Sequence, residues 1–154
     1  MGDDKNEFTG DVLMVCTPDG GDIVIEDGLV KPCRNFDTAV YLSLFGGNEH
    51  DRNGKASETW WGNLVPGTRR NEWMQSEFGS VVTSFPFTSG NLKKAADAAE
   101  RDLEWLKTDA GADSIEVSLE AESAKRVKLT ANIMKDSSTI GGGEYETQWQ
   151  EELR

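Results

Sequence analysis

Two stretches in the last third of the chain alternate between apolar and polar residues, which is the pattern of half-buried β-strands. They cover residues 115–122 and 126–133. Apolar residues face each other across an antiparallel pair only when the paired residue numbers have an even sum, so the loop has an odd length. A three-residue loop pairs Leu119 with Leu129, and a longer odd loop would keep this register. The alternation predicts an antiparallel hairpin at about 114–134, with an apolar face of Ile115, Val117, Leu119, Val127, Leu129, Ala131 and Ile133.

Apolar residues at helical spacing come before this hairpin. One stripe of a 3.6-residue period predicts a long helix at about 89–107, for which Thr88 or Ser89 supplies the N-cap. A shorter apolar run within 37–47 starts after an Asp-Thr pair and stops at two glycines. This run predicts a second helix, with a strand as the alternative because the run is so short. Residues 72–78 are expected to form a further short helix.

The N-terminal part of the chain reads as a small β-meander. Residues 12–16 and 22–26 are rich in Val and Ile and flank the turn sequence 17–21, which contains Pro and two glycines. An Asp-Gly turn then leads to the apolar pair at 29–30. Together with the helices and the C-terminal hairpin, this meander predicts an α+β fold.

The chain is short enough for one domain, with 154 residues and a mass of 17.0 kDa. We expect an N-terminal extension at 1–10, a folded core at 11–134 and an acidic tail at 135–154 joined through three flexible glycines. Tyr145 and Trp149 lie on this tail, and we expect them to dock on a neighbouring subunit.

The Trp60-Trp61-Gly62-Asn63 sequence has two interpretations. A tryptophan here can form a wall of the small core, or it can anchor an interface, where tryptophan is enriched. Both interpretations hold if one ring points inward and the other outward.

The net charge is −12, which argues against binding of nucleic acid or an anionic membrane, since phosphate contacts need Lys or Arg. Residues 97–122 contain nine acidic and two basic residues. This acidic block is either a solvated face or a surface that steers a basic partner. In the predicted hairpin, Glu120 and Glu122 face Lys128 and Arg126, so the block is partly neutralised across the turn.

The sequence contains no recognisable catalytic or cofactor motif. The single histidine, His50, lies in a polar loop, the glycine runs lack the Lys-Ser/Thr of a nucleotide-binding loop, and Cys16 and Cys33 do not have zinc-site spacing. We therefore expect a protein that is not an enzyme and has no cofactor and no metal. Two alternatives remain open: a glycan-cleaving enzyme that uses Glu58 beside Trp60, and an acidic adaptor that binds a basic partner.

The order of these features resembles the small baseplate wedge protein of Mu-like phages and prophages, within the sheath-initiator family of contractile tails, also labelled lysozyme-like. The resemblance covers most of 11–134. It rests on Thr17-Pro-Asp-Gly-Gly-Asp-Ile, Thr38-Ala-Val-Tyr-Leu-Ser-Leu-Phe45, Trp60-Trp61-Gly62-Asn63, Thr88-Ser-Gly-Asn-Leu92 and the closing hairpin. Many members of the wider family carry Glu-Pro-Arg before the hairpin, whereas this chain has Lys107-Thr-Asp-Ala-Gly-Ala-Asp113. Contacts made through that motif are therefore not transferred.

The resemblance implies a structural protein of the virion, assembled in the host cytoplasm. Sixfold copies of such a subunit form baseplate wedges around the tail tube, and strands from the first ring of tail sheath protein add to their β-sheet. The implied partners are the sheath protein, other wedge proteins and tube or hub proteins, with no direct contact to nucleic acid or membrane. The predicted hairpin fits this role independently, because a two-stranded hairpin is marginal alone and its edges invite strand addition. Little sequence is left to cover its apolar face, so we expect the seven residues of that face, together with Trp60, Trp61, Tyr145 and Trp149, to form the protein interface.

Overall fold

The computed structural model describes residues 11–17, 20–33, 35–47, 64–69, 72–74 and 76–149, and they form an α+β fold. Small two-stranded ladders come first, helices follow, and a three-stranded sheet closes the chain. The strands are β1 (Asp11–Val12), β2 (Met14–Thr17), β3 (Gly20–Ile23), β4 (Ile25–Glu26), β5 (Leu29–Val30), β6 (Pro32–Cys33), β7 (Ser114–Ala121), β8 (Arg126–Lys135) and β9 (Ser138–Gln148). The helices are α1 (Asp37–Phe45), α2 (Glu77–Ser84), α3 (Ser89–Leu103) and α4 (Trp105–Asp109).

The predicted hairpin and its register are confirmed. β7 and β8 are antiparallel, and Leu119 pairs with Leu129 while Ile115 pairs with Ile133. The N–H of Glu122 donates to the carbonyl of Arg126 at 2.9 Å, so the loop has three residues. Local alternation of side chains is therefore sufficient to place both strands.

The expected tail instead contains the third strand of this sheet. β9 pairs antiparallel with β8 along its length, after a turn in which Asp136 and Ser137 have φ values of 50° and 63°. Both residues of a two-residue type I′ turn have positive φ, and this turn closes tight hairpins. The tail prediction is wrong because glycines, which normally weaken strands, are required here by close approach. A Cβ at Gly141 would lie 3.0 Å from the Cβ of Phe36.

The helical predictions hold in part. The run at 37–45 is a helix, which decides against the strand alternative. The long helix forms as α3 and α4 with Glu104 between them, and Thr88 is its N-cap, accepting a bond from the Asn91 N–H at 3.2 Å. The short helix expected at 72–78 is wrong in its bounds, because α2 begins at Glu77, after the N-cap residue Ser76.

The core lies between one face of the three-stranded sheet and the helices. α3 packs on β7, α1 packs on β9, and α2 packs on α3 and α1. The N-terminal strands form three two-stranded antiparallel ladders, of which β2–β3 lies against α1. The largest fully buried side chains include Trp149, Phe78, Leu44, Leu103, Leu106, Leu129, Ile133, Val40 and Val127. Among the described helices, none combines the length and the apolar character that a bilayer crossing requires.

Candidate docking edge of the C-terminal sheet

The apolar face of the hairpin is already occupied by the protein's own helices. On β8, Val127, Leu129 and Ile133 are fully buried, and Ala131 is nearly so. The apolar side chains of β7 are half-buried and pack against the same core: Ile115, Val117 and Leu119. The sequence suggested an apolar face with little to cover it, and this is wrong because α3 and α1 lie across it. A partner therefore cannot dock on this face without displacing the core.

Tyr145 and Trp149 also belong to the core, so their expected docking on a neighbour is not what the structure has. Trp149 is 0% exposed, and its indole N–H donates to the Phe85 carbonyl at 2.6 Å. Its ring meets Phe87 edge-on at 5.5 Å between centroids. Tyr145 is 6% exposed and packs against Tyr41 and Phe45. Tyr145 on β9 and Trp149 directly after it both point into the core, which residues of a free tail would not do.

Trp60 and Trp61 lie outside the described residues, as do His50 and Glu58. Neither interpretation of the tryptophan pair is therefore tested. Within the described ranges, no group of three or more His, Cys, Asp or Glu residues is placed to hold a metal ion. The candidate site that can be built from described residues is a strand edge.

Two backbone hydrogen bonds near the β7–β8 turn show which backbone groups point out of the sheet. Hydrogen-bonded and non-hydrogen-bonded pairs alternate along an antiparallel ladder. Glu122 and Arg126 are a bonded pair, so the even-numbered residues of β7 bond to β8. The N–H of Trp149 donates to the Lys125 carbonyl at 2.5 Å, so the odd-numbered residues of β9 bond to β8 over the regular part of that ladder. It follows that odd residues of β7 and even residues of β9 present their backbone groups to the two outer edges.

The outer edge of β9 is closed by the chain itself. The Phe36 N–H donates to the Ile140 carbonyl at 2.9 Å, and the Gly142 N–H donates to Asp37 Oδ1 at 3.1 Å. Further along, the Cys16 thiol lies 3.5 Å from the Glu146 carbonyl. All three β9 residues are even-numbered, as the alternation requires. The start of α1 and strand β2 thus occupy the side on which a fourth strand would lie.

The outer edge of β7 has no such cover in the described part of the chain. Its outward groups are the N–H and C=O of Ile115, Val117, Leu119 and Ala121, and no described residue forms a hydrogen bond with them. An open row of backbone donors and acceptors is a template for another strand. We call this row, on residues 115, 117, 119 and 121, the β7 edge.

Charge on the open face of the sheet changes sign from strand to strand. β9 contributes Glu144 and Glu146, β8 contributes Arg126 and Lys128, and β7 contributes Glu116 and Glu120. The cross-strand row Glu120–Lys128–Glu146 places one ammonium group between two carboxylates. Adjacent opposite charges stabilise a sheet, so the charge pattern supports the observed strand order.

Two ionisable groups on or beside β9, the Tyr145 hydroxyl and the Cys16 thiol, have raised pKa values. Burial raises the pKa of the Tyr145 hydroxyl, and nearby Asp37 raises it further. Burial also raises the pKa of the Cys16 thiol, although its bond to the Glu146 backbone acts in the opposite direction. A neutral thiol is a poor nucleophile, so this cysteine has a packing role.

Sequence reasoning missed β9 and with it the closed edge. The signal was present in Tyr145, Thr147 and Trp149, which alternate with Glu144, Glu146 and Gln148 in the manner of a half-buried strand.

A scan against models of protein families, a search of curated proteins and a search of solved structures each return no significant match.

Proposed function

We propose that this protein is a structural wedge subunit of a contractile phage-tail baseplate, and that it nucleates sheath assembly by accepting a strand from a sheath subunit. The observation that carries the proposal is the difference between the two sheet edges. The edge of β9 is bonded to Phe36, Asp37 and Cys16, whereas no described residue bonds to the β7 edge. Strand addition at β7 would satisfy its open backbone groups and link two subunits without any pocket.

An open strand edge needs an explanation in a soluble assembly. Natural proteins protect such edges with bulges, proline, short strands or covering segments, since unpaired edges promote aggregation. β7 has eight residues and contains neither proline nor glycine. Its pairing with β8 is continuous, without a bulge. Among the described residues no segment bonds to this edge, and the exposed Glu116 and Glu120 are its only protective feature. A partner strand would satisfy its backbone groups, and each bond formed would contribute about 0.5–1.5 kcal/mol net.

The resemblance to the Mu-like wedge protein supports the same role. Three of its motifs coincide with described elements: the Thr17–Ile23 motif includes the last residue of β2 and all of β3, Thr38–Phe45 lies in α1, and Thr88–Leu92 begins α3. The Trp60–Asn63 motif lies outside the described residues. On this proposal the protein resides in the virion baseplate, assembled in the host cytoplasm, in sixfold copies around the tube. Its partners are the sheath protein, other wedge proteins and tube or hub proteins.

A proline at Val117 tests the proposal, because the N–H of this residue points away from β8. Val117→Pro removes one outward donor and places the ring in the path of an added strand, while the β7–β8 bonds remain. Val117→Thr is the matched control, since it keeps both the N–H and the β-branched shape. We expect electron microscopy of tails assembled with Val117→Pro to show unsheathed tubes, and tails with Val117→Thr to carry normal sheaths.

Folding of the variants is checked separately by circular dichroism and urea unfolding. If Val117→Pro does not fold, Ala121→Pro replaces it, because Ala121 also points its N–H outward and its side chain is exposed. Normal sheaths on baseplates that contain a folded proline variant would refute strand addition at β7.

A further inference from the structure

We propose that the strand accepted at the β7 edge carries Lys or Arg on its solvent side, at positions that face Glu116 and Glu120, and apolar residues on its opposite side. This inference rests on the proposed function, since it describes the partner of the same edge. It concerns the chemistry of that partner, which strand addition alone leaves open.

The first observation is the alternation of charge across the sheet. β9 is acidic, β8 is basic and β7 is acidic on the open face, so a fourth strand beside β7 continues the series if it is basic. Opposite charges in directly facing cross-strand positions are favourable, whereas like charges are unfavourable. A strand with acidic residues on this face would lie against Glu116 and Glu120 and be repelled.

The second observation is that the carboxylates of β7 are poorly neutralised within the sheet. Glu116 faces Asn132, which has no charge, and Glu120 shares Lys128 with Glu146. Neither Glu116 nor Glu120 forms an ion pair within the described ranges, and both are exposed. A cation from the partner would therefore meet one carboxylate, Glu116, with no cation opposite it, and a second, Glu120, that shares a single ammonium group with Glu146.

The third observation concerns the opposite face of the same strand. Ile115, Val117 and Leu119 are half-buried at the margin of the core, whereas their β8 neighbours are buried. Neighbouring strands lie about 4.8 Å apart, so alternate side chains of an added strand would contact these residues and extend the core. The partner is thus expected to present β-branched or other apolar residues inward and cations outward.

The spacing of the cations along the partner strand follows from the same geometry. Glu116 and Glu120 are four residues apart, with Ser118 between them on the same face of β7. The two cations that face them are therefore four residues apart on the partner strand, with one small or polar residue between them on that face. The charge of −12 also attracts a cationic segment before it docks, which makes association faster at low salt than at high salt.

The test uses the full-length protein and two synthetic peptides, one with alternating Lys and Val and one with alternating Glu and Val. Binding is measured by fluorescence anisotropy. The double variant Glu116→Lys/Glu120→Lys is compared with Glu144→Lys/Glu146→Lys, which makes the same charge change on β9. We expect the lysine peptide to bind the parent and to lose about tenfold or more in affinity for the β7 variant, consistent with two cross-strand pairs. The β9 variant should change this affinity much less, and the glutamate peptide should prefer the β7 variant.

The outcomes separate this inference from the proposed function. Equal binding of both peptides, abolished by Val117→Pro, refutes the cationic partner and leaves strand addition standing. Equal loss of affinity in the β7 and β9 variants refutes the inference in favour of non-specific attraction to an acidic protein. Failure of either peptide to bind also refutes it, whereas the proposed function is judged by sheath formation on assembled tails.

Discussion

Asp102 connects two helices through a partly buried carboxylate. Its two oxygens accept the N–H groups of Glu77 and Phe78, each at 2.9 Å, at the start of α2. These bonds favour the ionised form, but burial outweighs them and raises the pKa of Asp102 to about 7. The side chain of Ser76 caps the next free amide, that of Gly79, at 3.2 Å. The start of α2 is therefore determined by α3, a long-range contact that the sequence of 72–78 does not reveal.

This pKa predicts a specific dependence of stability on pH. Between about pH 4 and pH 7 the folded protein binds a proton at Asp102 that the unfolded chain, with the ordinary pKa of 3.8, has released. The contribution of Asp102 to the free energy of unfolding therefore falls as pH rises through this window, and it is constant above pH 7. Asp102→Asn should remove this contribution, as measured by urea unfolding from pH 4 to 8.

The chain has 28 acidic residues, so the difference between parent and variant is the relevant quantity. Glu100→Gln, at an exposed position of α3, serves as the control and should retain the parental pH profile. A carboxyl carbon of Asp102 that titrates near pH 4 by NMR would contradict the prediction.

Trp149 shows how much of a residue's role can be predicted from the sequence around it. Its type, an aromatic anchor, was recognised, but its binding partner was not. The Phe85 carbonyl that accepts its indole N–H is 64 positions away in the chain. An acidic, glycine-rich segment is typical of a solvated tail, and only tertiary packing reverses that interpretation.

At the scale of elements, the hairpin and the helices at 37–45 and 89–107 could be predicted, because their periodicity is local. β9 was missed although residues 144–149 alternate, because its three glycines have low strand propensity and are explained only by contacts with distant parts of the fold. Gly142 has φ of +128°, and a Cβ there would overlap the carbonyl of Ala131 on β8. The candidate edge depends on this strand, since β9 and its cover leave β7 as the open side.

Gly142→Ala therefore tests the β8–β9 pairing. We expect it to destabilise the protein by about 1–3 kcal/mol, because the new methyl group meets backbone and the dihedral angle suits only glycine. Gly90→Ala in α3 is the control, since open space surrounds that position and alanine is favoured in helices by up to about 1 kcal/mol. Urea unfolding measures both changes. A Gly142→Ala protein as stable as the Gly90→Ala protein would contradict this account of β9.

At the scale of the whole molecule, the arrangement is asymmetric in two directions. One face of the sheet is covered by α1 and α3, while the other carries charge. One edge is closed by the N-terminal part of the chain, while no described residue bonds to the other edge. Such a molecule has one side left for extending its sheet. The placement of charges was partly predictable, since Glu120 lies opposite Lys128 in the strand register, as expected.

The C-terminal boundary of the folded unit also follows from this arrangement. Periodicity favoured a core that ends near Met134, but β9 delivers Tyr145 and Trp149 to the interior and bonds along β8. A chain that stops at Met134 retains only a two-stranded hairpin under the helices, and such a hairpin is marginal. We expect this truncated chain to lack cooperative unfolding and near-ultraviolet dichroism, whereas a chain that stops after residue 150 should retain both. Cooperative unfolding of the 1–134 chain near the parental urea midpoint would show instead that β9 is an accessory to a core complete without it.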